Sequence, residues 1–335
     1  MLSVVIPVYR NEASIPSLIA ALNELAVKVE ARHGKALEVV FVVDGSPDNS
    51  FCELEQRLPN AGFASRLVLH SRNFGSMAAV RTGLGAATGE YFGVMAADLQ
   101  EPPELMLDFF EGLASGEFDV MIGCRNSRQD PFASRLASGI FWRLYRALVI
   151  PEMPRKGVDA FGCNSTFRDH LLRLDEAHSS IIGLIFWLGF RRGEAYYERR
   201  ARAHGTSAWT LKKKINYLLD SVFSFTDLPI RLLTLFGAFG VVLAGVLGAA
   251  IVFARMTAGI AVPGYAATMV AVIFFGGINA MGLGIVGSYA WRTYENTKRR
   301  PLSLTLVERA FPGRSEPLGL EAIRGSRVGE DVGAR

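Results

Sequence analysis

The chain has 335 residues, enough for one large domain or a domain with an appendage. Half of its residues are hydrophobic and its mean hydropathy is +0.23, which is too apolar for an ordinary soluble protein and predicts membrane segments. A formal net charge of +4 allows anionic lipid, a phosphorylated substrate or nucleic acid as partner, while Cys52, Cys124 and Cys163, without a paired motif, argue against a disulfide framework or zinc site.

The first twelve residues, MLSVVIPVYRNE, carry no basic n-region and only a short apolar run, so they read as a first strand and not a signal peptide. Apolar, β-branched runs recur at residues 2–7, 38–43, 66–70, 91–97 and 119–124, with helical patterns between them. Ser14 stands where it would cap a helix entering at Ile15-Pro16, with Leu18, Ile19, Leu22 and Leu25 on one face. Further helices follow Gly75 and Pro103. Strand alternating with helix predicts an α/β domain, its mostly parallel sheet covered on both faces.

Ligands of such sheets bind beyond the carboxyl ends of the strands. Here those ends read PVYRNE, VDGSPDNS, HSRNFGS, AADLQEPP and GCRNSR, a polar rim rich in Asp, Asn and Glu. The fourth delivers Asp98, then Gln100, Glu101 and Pro102-Pro103; a metal-binding Asp-x-Asp at this rim would have its first carboxylate at Ala96. GLGAATG (83–89) has the wrong glycine spacing for a dinucleotide fingerprint and precedes a strand instead of following one. There is no Walker loop and no Gly-x-Ser-x-Gly elbow. The basic residues gather near the apolar segments, which argues against nucleic acid.

Two late segments, about 232–254 and 265–291, exceed the roughly 20 apolar residues a spanning helix needs. The link between them, RMTAGIAVPG, is short and carries only Arg255, so the two form a hairpin. Lys212, Lys213, Lys214 and Arg231 precede it, and Arg292, Lys298, Arg299 and Arg300 follow; the positive-inside rule puts both termini in the cytoplasm. Gly240, Ala244 and Gly248, one turn apart, allow close helix packing and a homo-oligomer, or are simply the small residues common in membrane helices. Residues 134–150 align Leu136, Ile140, Phe141, Leu144 and Leu148, and residues 209–225 align Leu211, Ile215, Leu218, Leu219 and Val222. Both patterns suit amphipathic interfacial helices or core-packing faces. IIGLIFWLGF (181–190) is too short to span and reads as a third interfacial stretch. The domains expected are 1–208 catalytic, 209–230 juxtamembrane, 231–292 transmembrane, and 293–335 a cytoplasmic tail, loosely ordered after Pro312.

Taken in order, VVIPVYRNEASI, VVDGSPDNS, RNFGSMAAVRTGL, ATGEYFGVMAADLQEPPE, GTSAW and the helix pair resemble family 2 glycosyltransferases with the GT-A fold. The likeness covers about residues 1–305 and is to the polyprenyl-phosphate type, the dolichol-phosphate mannose synthase and bactoprenol-phosphate glucosyltransferase group. The resemblance implies a nucleotide-sugar donor bound by Pro7, Tyr9, Asn11, Glu12, Asp44, Asn73 and Asp98. It implies Mg2+ or Mn2+ on Asp98 and Gln100, whose oxygen ligands suit those ions. Asp98, Arg125 and Arg128 are the implied catalytic groups; Arg128, Asp159, Arg202 and Ser207 face the acceptor phosphate. Ala208-Trp209 stand where relatives often have Lys after the serine, and Val43 where they often have a second Asp.

The implied reaction is inverting transfer of one sugar to polyprenyl (undecaprenyl or dolichyl) phosphate at the cytoplasmic membrane face. UDP-glucose leads as donor, with GDP-mannose and UDP-N-acetylhexosamine open. Transfer to a hydroxyl of another membrane lipid would need a general base, and the absent carboxylate at 96 argues against it. Ala96 and Val43 motivate a non-catalytic membrane scaffold of the same fold; retention of Asp98, Gln100, Asp44 and the arginines opposes it.

Overall fold

The computed structural model describes residues 1–126, 139, 143–154, 157–176, 179–200, 211–258 and 264–313. β1 (Leu2–Val8) shows why both faces of the sheet are covered. Successive side chains of a strand point to opposite faces. Leu2, Val4, Ile6 and Val8 enter one core, with α1 (Ile15–His33) and the later α4 (Leu105–Ala114), and Val5 enters another. β2 (Leu37–Val43) repeats the pattern, sending Val39 and Phe41 one way and Val40 and Val42 the other. The second core is closed by α3 (Ser76–Ala86), α5 (Ser165–Leu172) and α6 (Ile181–Trp187). Gly83 lets α3 lie flat on the sheet: a Cβ there would sit 2.3 Å from Val5 Cγ1. The glycine of GLGAATG is therefore a packing residue.

β3 (Ala64–His70), β4 (Tyr91–Val94), β5 (Val120–Arg125), β6 (Phe161–Asn164), β7 (Arg192–Tyr197) and β8 (Thr305–Phe311) complete eight strands in the order β7-β5-β6-β4-β1-β2-β3-β8. β4, β1, β2 and β3 are parallel neighbours, as strand–helix alternation predicts. β6 and β8 run antiparallel to theirs. α2 (Ser50–Arg57) follows the turn after β2.

Several expectations change. Strand pairing in the 91–97 run stops at Val94, because the chain splays at the rim and turns through Leu99 at φ +55. Ser14 does not cap α1: a 3₁₀ turn at Glu12–Ser14 runs straight into the helix, so Ser14 has helical backbone angles and its hydroxyl donates to Asn11 O, 2.9 Å away. The 181–190 stretch is a core helix instead of an interfacial one; Ile181, Leu184 and Ile185 are buried against the sheet. α7 (Leu211–Phe225) packs on it: Tyr217 hydroxyl meets Ser180 Oγ at 2.9 Å, and Phe225 lies against Gly183. Tyr145, from the 134–150 pattern, stacks on Tyr217 and is fully buried, while Leu144 and Leu219 stay exposed. These faces are thus shared between core and exterior. Residues 305–311, expected in a tail, pair with β3 as an edge strand.

α8 (Leu228–Ala258) and α9 (Tyr265–Thr297) occupy the two segments expected to be helical. Phe275 of α9 fills the notch at Gly240, and Leu233 that at Gly282, whereas among the described residues none packs at Gly248. Among the described residues one segment, Leu228–Ala250, is long and apolar enough to cross a membrane, and none of it is buried in the protein. Arg292 near the end of α9 bonds Asp220 at 2.6 Å and Ser224 at 3.2 Å, tying α9 to α7.

Candidate active site at the carboxyl ends of the strands

Three groups of residues meet at the rim. The first is built on the turns after β1 and β2. Arg10 takes a left-handed conformation (φ +56), and its N–H donates to Ser46 Oγ at 2.7 Å. Asn11 Oδ1 accepts from Tyr9 N, and Glu12 accepts from both the backbone and side chain of Asn49. Asp48 ties the same turns together, accepting from Ser46 Oγ at 2.6 Å and Glu12 N at 3.1 Å. Asn11 and Glu12 thus shape the rim, while Tyr9 is 39% exposed, with the Arg10 guanidinium over its ring. Pro7 lies in β1 opposite Val42, and Asn73 is exposed at the edge of the loop after β3.

Asp44 sits deeper than the sequence implies. It is 2% exposed, and its carboxylate accepts from His70 Nδ1 (2.9 Å), Phe74 N (2.9 Å) and Gly75 N (2.7 Å). Burial pushes its pKa up, but His70 and the two backbone N–H groups outweigh that and hold it below the ordinary carboxylate value. Gly45 completes the clasp: at φ +55 it lies so close that a Cβ would stand 2.2 Å from Arg72 C. Asp44 therefore positions the 71–75 loop.

The second group is the acidic turn. Leu99 in its left-handed conformation sets Asp98 and Gln100 on one tight bend, with Gln100 N 3.3 Å from Asp98 Oδ1. Glu101, not singled out by sequence, is 3% exposed, and its Oε2 lies 3.4 Å from Ala96 N. It thus brings a carboxyl group back to the backbone of the residue that lacks one. Burial, then the neighbouring Asp159 and Asp98, push its pKa up to about 7. Two side-chain oxygens on one bend, a carboxylate and an amide, are a donor set that fits Mg2+ or Mn2+. Among the described residues there is no cluster of three or more His, Cys, Asp or Glu placed to hold a metal ion alone, so such an ion would complete its shell with water or substrate oxygens.

The third group brings β5, β6 and β7 to the acidic turn. Arg125 Nε pairs with Asp159 Oδ2, and Tyr197 hydroxyl donates to the same oxygen at 2.9 Å. Burial lowers the Arg125 pKa, but Asp159 more than restores it. Burial, then Asp159 and Glu101, raise that of Tyr197, which stays a donor. Arg199 Nη2 bonds Gln100 Oε1, and Arg200 N bonds Gln100 O at 2.9 Å. The structure thus joins Asp98, Gln100, Arg125 and Asp159 in one region and adds Glu101, Tyr197 and Arg199. Arg128, Arg202 and Ser207 lie outside the described residues. Tyr197 carried only the weak signal of an alternating RGEAYY strand, and Arg199 stood in an arginine-rich run that reads as surface.

The description "Glycosyl transferase family 2" matches residues 3–174 of the chain. Curated relatives match nearly end to end. CsbB of Bacillus subtilis (strain 168) is 33% identical over 95% of this chain and 94% of its own length. An undecaprenyl-phosphate 4-deoxy-4-formamido-L-arabinose transferase of Pseudomonas aeruginosa (strain LESB58) is 32% identical over 93% of this chain and 91% of its own. A prophage bactoprenol glucosyl transferase homolog of Escherichia coli (strain K12) is 28% identical over 90% and 96%.

Proposed function

The chain belongs to glycosyl transferase family 2 and is a glycosyltransferase, and from that premise we propose that it moves one sugar, glucose from UDP-glucose, onto polyprenyl phosphate at the cytoplasmic face of a membrane. One observation carries the proposal: the rim bearing Asp98, Gln100 and Arg125 stands on a domain joined to a helical pair whose apolar side chains face outward. In α8, Phe236, Phe239 and Val241 are 55%, 64% and 75% exposed. In water each would forfeit roughly 1.5–3 kcal/mol of burial, a cost that lipid removes.

The chain leaves the domain through α8 and returns to its sheet as β8, which supports two crossings with both termini on the cytoplasmic side. The basic residues at the domain end of the pair agree with that orientation. The acceptor class follows relatives of 28–32% identity whose names specify undecaprenyl phosphate and bactoprenol.

A lipid phosphate is already an anion, so its oxygen attacks the anomeric carbon as the bond to the nucleotide diphosphate breaks, with inversion and no strong base. Positioning and charge stabilisation are then the enzyme's work. Asp98 and Gln100 would hold a divalent cation, which supplies neutralisation of the leaving diphosphate when bound. Arg199 orients the Gln100 amide. Tyr197 and Asp159 hold the Arg125 guanidinium, so that Asp159 acts through Arg125; Arg125 and Arg128 serve the transferring groups, and Arg202 and Ser207 the acceptor phosphate. Tyr9 stacks on the base, and Pro7, Asn11, Glu12, Asp44 and Asn73 form or support its pocket.

The test is purified full-length protein in detergent with Mn2+, polyprenyl phosphate and radiolabelled UDP-glucose, GDP-mannose and UDP-N-acetylglucosamine in turn. Labelled lipid is expected with UDP-glucose. Labelled lipid from another donor alone corrects the sugar; no labelled lipid and no nucleotide-sugar binding by calorimetry overturns the function.

A further inference from the structure

His70 closes β3 and is 1% exposed, a buried imidazole that the proposed chemistry does not use. Such a ring needs a partner at each nitrogen. Nδ1 lies 2.9 Å from Asp44 Oδ1, and Nε2 lies 3.0 Å from Thr82 Oγ1 on α3. Thr82 Oγ1 in turn lies 2.8 Å from Ser303 Oγ, in the segment between α9 and β8. The carboxylate at the other end of this chain holds Phe74 N and Gly75 N. The same returning segment takes hold of the loop a second time, its Leu304 O accepting from Ser71 N at 2.9 Å.

The directions are consistent throughout. Asp44 as a carboxylate only accepts, so Nδ1 carries a hydrogen. With the ring neutral, Nε2 accepts from Thr82, whose oxygen accepts from Ser303. With the ring doubly protonated, both hydroxyls rotate and the chain runs the other way. In either order both ring nitrogens and the Thr82 hydroxyl are partnered, and the loss of one hydroxyl removes a link of the chain.

We propose that Ser303, Thr82 and His70 are positioning residues for the donor: the segment returning from α9 reaches through them to Asp44 and sets the 71–75 loop against which the nucleotide sugar binds. The proposal rests on the donor occupying the strand ends, as in the function above. The donor pocket is then not complete in residues 3–174, the part matched to the family; it needs a hydroxyl more than 200 residues beyond the loop that it steadies.

The test uses full-length protein in detergent. Ser303→Ala and Thr82→Val each remove one hydroxyl with little change in shape, and Thr82→Ser keeps it. UDP and GDP binding by calorimetry comes first, then donor KM and kcat. We expect nucleotide affinity to fall and donor KM to rise on the order of fivefold in Ser303→Ala and Thr82→Val, the scale of one hydrogen bond. Near-parental kcat at saturating donor and near-parental affinity in Thr82→Ser are also expected. Unchanged affinity and KM in both, or a fall in kcat alone, overturns the positioning role while leaving the function standing. A parent that binds neither nucleotide overturns both.

Discussion

At Asp98 a strand end presents a carboxylate on a bend set by Leu99, one residue before Gln100 and near the buried Glu101. Asp98→Ala is expected to lower transfer by on the order of 10²–10³-fold and to remove the Mn2+ signal seen by electron paramagnetic resonance; near-normal turnover would refute the metal assignment. Asp98 and Gln100 were expected together from the family resemblance, and the structure sets them on one bend. The Glu101 carboxyl group beside Ala96 N was not legible, because its reach back is one that one-dimensional spacing does not reveal. Asp44 was expected at the rim from the resemblance; its hold on His70 and the 71–75 loop was not legible. Asp44→Ala leaves one buried imidazole and two partly buried N–H groups short of an acceptor and should destabilise the domain by on the order of 3 kcal/mol at neutral pH. Its pKa is depressed, so that stabilisation is complete above the ordinary value of 3.8 and is lost as pH falls through the folded value. Urea unfolding of parent and variant should therefore show a gap that is widest near pH 7 and closes below pH 3.8.

Elements announce themselves when their burial is simple. β1 and β2 are buried on both faces and read as continuous apolar runs, and α1 repeats its apolar face at helical spacing. β7 alternates Gly193, Ala195 and Tyr197 inward with charged or polar residues outward, too weak a hydrophobic signal to call a strand by itself. β8 is mostly exposed, Leu306 at 64%, so no buried face marks it out in the sequence; it forms on the open edge of β3. The 181–190 stretch misleads in the opposite sense. Its apolar residues suit lipid or core equally, and only the sheet beneath α6 selects the core.

For the whole molecule, the return of β8 to the sheet that β1 begins has a consequence for topology. If α8 crosses a bilayer, α9 must bring the chain back. Single cysteines placed at exposed Glu30 and Glu308, in a background with Cys52, Cys124 and Cys163 replaced, should both resist a membrane-impermeant maleimide in intact cells and react after permeabilisation; reaction at one alone in intact cells would break the two-crossing topology. The sequence by itself determined the α/β alternation, the apolar helical pair and the identity of the rim residues, because periodicity, residue type and local spacing encode them within a few turns of chain. Only the tertiary structure decided that Arg125 serves Asp159, that Glu101 stands behind Ala96, and that Asp44, His70, Thr82 and Ser303 form one chain. The partners along that chain are separated by 26, 12 and 221 residues, and a hydrogen bond is read by distance in space, which sequence separation does not record.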